Sequence, residues 1–273
     1  MEILIIIIVL ILIYPFLIKP NLTRKYAFKP YEDTFIAHRG LFNNQDIPEN
    51  SISAFKLAVE NDYGIELDVQ LTADNKLVVF HDESLLRMTG VDKVLNQCNY
   101  DEISKLCLLN TNHHIPLFED VLKVLNKETP LIIEIKPEGR YIETTKAAVE
   151  IMKSYPGIYN MESFNPNVVR YLKVNEPQII RGQLSYNYLK DRKSSINHFL
   201  KFVLTYLLLN FYTKPDYIAY DCTNTNNLSF RIVSLFYRTE CIAWTVKSQD
   251  EYEKIKKYYK CFIFDSFTPK KQD

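Results

Sequence analysis

Glycine is scarce in this chain, with six in 273 residues. Neither a GxGxxG fingerprint nor a Walker phosphate loop can be assembled from so few, which excludes nucleotide cradles of those kinds. Net charge is missing too. The 33 lysines and arginines balance 33 aspartates and glutamates, so no basic footprint speaks for nucleic acid as a partner. The five cysteines, Cys98, Cys107, Cys222, Cys241 and Cys261, are odd in number and show no CxxC spacing. They read as reduced thiols, not as a disulfide frame or a zinc site. What is plentiful is apolar side chain, 47% of the total, enough for the core of one large domain.

The first apolar feature is the near-unbroken run of Ile, Leu, Val, Tyr and Phe from Ile3 to Ile18. With its interfacial flanks it approaches the span of about 20 residues that crosses a bilayer. Glu2 is the sole charge before it and no Ala-x-Ala site follows, so a retained anchor is expected over 1–20, not a cleaved signal. Lys19, Arg24, Lys25 and Lys29 follow, which places the remainder on the cytoplasmic side of a single-pass protein. A buried first helix is the alternative. Residues 21–33 then read as a juxtamembrane linker and 34–273 as the folded domain.

The stretch from His38 to Asp82 holds the densest polar chemistry, set on segments that otherwise read as apolar strands. Strand side chains alternate, so Glu66 and Asp68 in IELDV share one face while Ile65, Leu67 and Val69 take the other. Two carboxylates on one face repel, and a hard divalent cation is the usual remedy; a solvated strand face is the simpler reading. His81 ends the next apolar run, KLVVFHD, after a turn at Asp74 and Asn75. A hairpin there is expected to bring Asp68 roughly opposite His81.

Nine strands are expected: 34–38, 64–71, 76–81, 131–136, 157–164, 178–184, 216–220, 241–246 and 261–265. Amphipathic stretches fall between most of them, and alternation of this kind argues for a parallel α/β fold. The 76–81 strand follows its predecessor too closely for a parallel crossover, so it is the return arm of a hairpin. Eight strands remain, which favours a TIM-type (β/α)8 barrel, and in that fold chemistry gathers at the carboxyl ends of strands. His38, Arg39, Glu66, Asp68, Glu134, Lys136, Trp244 and Asp265 all fall there. Glu134 and Lys136 share one face of LIIEIK, as a metal ligand beside a cation or as a plain salt bridge in the barrel.

In that order HRG, PEN, ExDV, TxDxxxVxxHD, ExK, SFNP and WTV resemble the glycerophosphodiester phosphodiesterases, over roughly Thr34 to Pro269. The resemblance implies a PLC-like phosphodiesterase barrel. It makes Glu66, Asp68 and Glu134 the ligands of one divalent metal, Mg²⁺ or Ca²⁺, and His38 and His81 the catalytic acid–base pair. Arg39 and Lys136 would hold the phosphate, and Trp244 would line the glycerol side of the pocket. Two departures stand out: Phe264 where the family has Thr before the last Asp, and Ser51 for the Thr after PEN. The implied reaction releases an alcohol and glycerol 3-phosphate. A lysophospholipase D acting on lysophospholipids at the same site, and an inactive membrane-bound phosphodiester-binding protein, are the rival readings.

One further stretch, FLKFVLTYLLLNFY at 199–212, is apolar around most of a helix's circumference and flanked by Arg192, Lys193 and Lys214. It reads as an interfacial element in contact with membrane lipid. Burial against a loop or a second subunit is the alternative.

Overall fold

The computed structural model describes residues 12–270. Its nine strands are β1 (Thr34–His38), β2 (Gly64–Leu71), β3 (Leu77–Val79), β4 (Leu131–Ile135), β5 (Tyr159–Ser163), β6 (Arg181–Ser185), β7 (Tyr217–Asp221), β8 (Glu240–Val246) and β9 (Cys261–Phe264). Eight run parallel in the order β1-β9-β8-β7-β6-β5-β4-β2, and a β1–β2 pairing closes them into the expected barrel. β3 is the antiparallel return arm of a hairpin with β2. In its register Val69 pairs with Val79, which sets Phe80 beside Asp68 and His81 one residue further on. His81 lies just beyond the strand.

β2 is buried along its whole length, as a barrel strand covered on both sides must be. Its outward Ile65, Leu67 and Val69 join the shell beneath the helices, while Glu66 and Asp68 face the interior. Helix starts follow local chemistry. Ser51 Oγ accepts from Ala54 N at 3.2 Å to cap Ile52–Glu60, and Asn165 caps Pro166–Asn175 with proline at its first position. The stretch Leu228–Phe236 passes from α to π geometry at Ile232.

The barrel interior is divided by height. Ile36, Ile132, Tyr217, Ala219, Ile242, Cys261 and Ile263 fill the lower part, and Phe28 and Tyr31 cap it from below. Gly182 makes room for the Tyr217 ring, since a Cβ there would lie 2.2 Å from it. Phe28 and Tyr31 belong to a 3₁₀ turn, Lys25–Tyr31, within the stretch that the sequence suggests as a linker. Arg24 donates to the carbonyls of Pro177 and Gln178, and Asn21 Nδ2 donates to Asp216 Oδ1 at 2.8 Å. This stretch is thus the floor of the barrel.

Residues 12–18 are helical, and no helix among the described residues is long and apolar enough to cross a membrane. The anchor expected over 1–20 falls largely on residues 1–11, outside the described residues. The end of that stretch is docked on the barrel: Ile18 is fully buried, its carbonyl accepts from Asn210 Nδ2, and Tyr14 hydrogen-bonds Ser229. The stretch 199–212 is not one continuous helix. It divides into His198–Thr205 and Asn210–Thr213, with Leu207 in a left-handed conformation (φ 56°) between them.

Candidate active site

At the carboxyl ends of the strands lies a pocket of about 420 Å³. His38, Arg39, Glu66, His81, Glu134 and Trp244 line it. Asp68 and Lys136 lie just behind, so all eight residues singled out from sequence come together. Ligand oxygens of Glu66, Asp68 and Glu134 lie within 4.8 Å of one another, and all three residues are buried.

The turn after β1 explains how a backbone reaches this cluster. Arg39 and Gly40 both adopt left-handed conformations (φ 57° and 82°), and a Cβ on Gly40 would lie 2.8 Å from Ala54. That twist aims Arg39 N at Glu66 Oε2, at 3.0 Å. The Arg39 guanidinium binds Glu49 Oε1 at 2.7 Å and approaches Asp68 Oδ2 at 3.5 Å. Asn50 donates through Nδ2 to Asp68 Oδ2 at 2.9 Å. Lys136 Nζ lies 2.8 Å from Glu134 Oε1 and 3.4 Å from Asp68 Oδ1.

The electrostatics of the three acids differ. Burial, then the charges of Asp68 and Glu134, push Glu66 well above the usual carboxylate range. Burial likewise raises Glu134 against the pull of Lys136. Burial also works against ionised Asp68, but Lys136, His81 and Arg39 outweigh it and hold Asp68 low. Asp68 Oδ1 is buried without a hydrogen-bond partner, and Glu66 receives one backbone N–H. An all-oxygen, under-satisfied buried set of this kind suits a hard divalent cation.

Both histidines are held the same way. His38 Nδ1 meets Asp265 Oδ2 at 3.0 Å, and His81 Nδ1 meets Asp82 Oδ1 at 2.6 Å. A carboxylate at Nδ1 fixes the proton there and leaves Nε2 for chemistry. Burial lowers His38 below its ordinary value despite Asp265. Asp82 is in turn gripped by Arg87, which also binds both oxygens of Glu49 at 2.7 and 3.1 Å. Burial raises Glu49, but Arg87, Arg39 and Asn44 bring it down to about 2.

Several of these groups escape a reading by sequence alone. Glu49 and Asn50 stand inside PEN and Asp265 directly follows the last strand, so motif position marks them without giving their tasks. Arg87 carries no sequence signal; it lies on the single-turn helix Leu86–Thr89.

Glu162 on β5 is the other buried acid of the pocket, raised to about 8 by burial, with Glu134 and Asp68 adding to the rise. Tyr217 Oη lies 2.7 Å from Asn160 Oδ1 and 2.8 Å from Glu162 Oε2. One hydroxyl proton cannot serve both acceptors, whereas a protonated Glu162 can donate to Tyr217 while Tyr217 donates to Asn160 Oδ1, which leaves only Asn160 Nδ2 without a partner. Between the unfolded carboxyl pKa and about 8 the fold then keeps a proton that the unfolded chain has released. Stability therefore falls as pH rises through that window, by up to ~1.4 kcal/mol per pH unit. Glu162→Gln should flatten the decline and melt about 5–10 °C above the wild type at pH 9, with little difference at pH 5. Thermal melts of both proteins at the two pH values check this, and parallel declines would count against it.

The comparisons with known proteins agree with the geometry. The model of the glycerophosphoryl diester phosphodiesterase family matches residues 38–266. The chain is 28% identical to bovine glycerophosphodiester phosphodiesterase 1 over 260 residues, 85% of this chain and 76% of that protein. It is 50% identical over 164 residues, 55% of this chain and 65% of the other, to a glycerophosphodiester phosphodiesterase of Caldanaerobacter subterraneus. Among solved structures it is similar to an Oleispira antarctica phosphodiesterase in complex with the product sn-glycerol-3-phosphate. There the TM-score is 0.69 at 21% identity, with 89% of this chain and 95% of that one covered. A Parabacteroides distasonis glycerophosphodiester phosphodiesterase aligns with TM-score 0.67 at 24% identity, over 86% and 93% of the two chains. Barrel, pocket and sequence therefore lead to one assignment: the chain belongs to the glycerophosphoryl diester phosphodiesterase family and is a phosphoric diester hydrolase.

Proposed function

We propose that this enzyme cleaves glycerophosphodiesters to an alcohol and glycerol 3-phosphate with one divalent cation on Glu66, Asp68 and Glu134 and with His38 and His81 sharing proton transfer. The observation that carries the reading is the convergence of three buried carboxylates with two histidines whose Nδ1 atoms are each held by an acid. An all-carboxylate set favours Mg²⁺ or Ca²⁺ over zinc. Bound there, the cation supplies positive field against the charge that builds on the phosphoryl oxygens.

The chain's own residues do the rest. Arg39 lines the pocket and offers its guanidinium to the phosphate, while Lys136 adds charge from behind Glu134 and Asp68. Trp244 and Phe164, with ring centroids 5.3 Å apart, form the apolar wall beside which the glycerol backbone lies. We assign His38 the task of taking a proton from the attacking hydroxyl or water, in keeping with an imidazole that desolvation holds below its ordinary pKa. His81, half-open to solvent, protonates the leaving oxygen. An inactive binding protein would have no use for two histidines so held.

We also infer attachment to a membrane through residues 1–20, with the barrel on the cytoplasmic side. The exposure of Leu12, Ile13 and Phe16 on the helical residues 12–18 supports this, as do the basic residues that follow. Hydrolysis of glycerophosphocholine and glycerophosphoethanolamine by the full-length protein, with and without chelator, tests the reaction. Release of glycerol 3-phosphate that excess chelator stops is the expected result, and no release from either substrate would refute the reading.

A further inference from the structure

The excursion between β3 and β4 carries a core of its own, built on buried Phe80, Leu85, Met88, Leu95 and Ile103 and separate from the shell beneath the barrel's helices. Leu85 and Met88 pin the single turn Leu86–Thr89, which ends at Gly90 in a left-handed conformation (φ 75°). The turn is also tied to the chain that follows it. Leu85 N donates to the Lys93 carbonyl and Leu95 N to the Glu83 carbonyl, both at 2.9 Å. Arg87 therefore projects from a fixed base, although its side chain is 46% exposed.

The bonds of that arginine converge on one atom. Arg87 Nη2 donates to Asp82 Oδ1 at 2.9 Å and to Glu49 Oε1 at 2.7 Å. Asp82 Oδ1 is the same oxygen that meets His81 Nδ1, and Glu49 Oε1 is the same oxygen that accepts from Arg39 Nη1 at 2.7 Å. Arg87 Nε on Asp82 Oδ2 and Nη1 on Glu49 Oε2 complete a fork on each carboxylate. Charge thus alternates without a break through Arg39, Glu49, Arg87, Asp82 and His81. Gln70 Nε2 already holds the backbone under His81, within 3.1 Å of the carbonyls of Phe80, His81 and Asp82. Rotation of the Asp82 carboxylate is what remains to be fixed, and the Arg87 fork fixes it. Ion pairs of a half-exposed arginine add little to stability, so their worth here is geometric.

We propose that Arg87 is a positioning residue for the reaction, whose Nη2 sets His81 and Arg39 in register with each other. The inference rests on the assignment above of His81 as the acid that passes its proton to the departing oxygen while the P–O bond breaks. Without Arg87, Asp82 Oδ1 and Glu49 Oε1 face each other with no cation between them, and repulsion turns Asp82 from His81. Glu49 is still held, by Arg39 and by Asn44 Nδ2 at 3.0 Å. The loss therefore falls more on proton transfer than on phosphate binding. A lysine in this place would keep the charge without the planar fork that spans two carboxylates.

The test compares two substrates in steady-state kinetics of the full-length protein. Glycerophosphocholine expels an alkoxide that needs a proton, whereas the para-nitrophenyl diester of glycerol 3-phosphate expels a phenolate that leaves without one. Arg87→Ala should lower kcat on glycerophosphocholine about 10–100-fold with a smaller rise in KM, and should lose much less on the nitrophenyl diester. Its melting temperature should stay near that of the wild type. Arg87→Lys should recover little, while guanidinium ion below denaturing concentrations should restore part of the lost rate to Arg87→Ala. Equal losses on the two substrates, full recovery by lysine, or a kcat on glycerophosphocholine close to the wild-type value overturns the proposal. His81→Ala run alongside separates the two readings. Equal losses on both substrates in that variant strike the acid assignment, whereas discrimination by His81→Ala beside none by Arg87→Ala strikes the positioning alone.

Discussion

Glu66→Ala is expected to reduce turnover to background and to abolish divalent-metal binding in the same protein. Glu66 accepts from a single backbone N–H, lies with Asp68 and Glu134 inside a 4.8 Å cluster, and is pushed well above the carboxylate range by burial and those neighbours. Without a cation the cheapest relief is to bind a proton, so metal loading must displace one, and affinity should fall as pH falls. The variant loses a ligand and the repulsion together. Its melting temperature should therefore ignore added Mg²⁺ or Ca²⁺, whereas the wild type should melt higher when loaded. Calorimetric titration and thermal melts with and without EDTA check both halves. Full activity of chelated wild type would end the metal reading.

His38→Ala and His81→Ala should each lower kcat by about 10²–10⁴-fold and leave the fold intact. Neither side chain contributes to the apolar core, and each imidazole spends its Nδ1 on a carboxylate, Asp265 or Asp82. A two-limbed pH–rate profile should become one-sided in either variant. Asp265→Asn and Asp82→Asn should cost less than removal of the rings, because the imidazoles remain and lose only the negative charge beside Nδ1. If either histidine is replaced with less than about a tenfold fall in kcat, the paired acid–base scheme fails.

The strands were readable because each is a short apolar run ended by polar or turn residues, and the hairpin because Asp74 and Asn75 announce it; Asn75 takes φ 64°. Carboxylates at i and i+2 on such a run, Glu66 and Asp68, had to share a face, while the grouping of the other site residues with them came from the family resemblance. Side-chain bonds between remote segments left no such trace. The Glu49–Arg87–Asp82 chain joins two loops through an arginine on a helix too short to show periodicity. The fold of the 199–212 stretch was hidden for a related reason. Its lysine is buried on a backbone carbonyl, and hydropathy counts residues without seeing which of them point inward.

Barrel closure has a further consequence, for the order in which the chain becomes active. β1 pairs on one side with β2 and on the other with β9, through Ala37 and Phe264 among others. His38 and its acceptor Asp265 are 227 positions apart. At translation rates of about 5–20 residues per second, β1 waits on the order of ten to forty seconds for its second neighbour. During that time the sheet has an open, apolar edge of the kind that pairs with other chains. The last strand thus seals the sheet and orients the imidazole in one event. Any chain released before Asp265 would be both adhesive and inert, which couples quality of folding to catalytic competence.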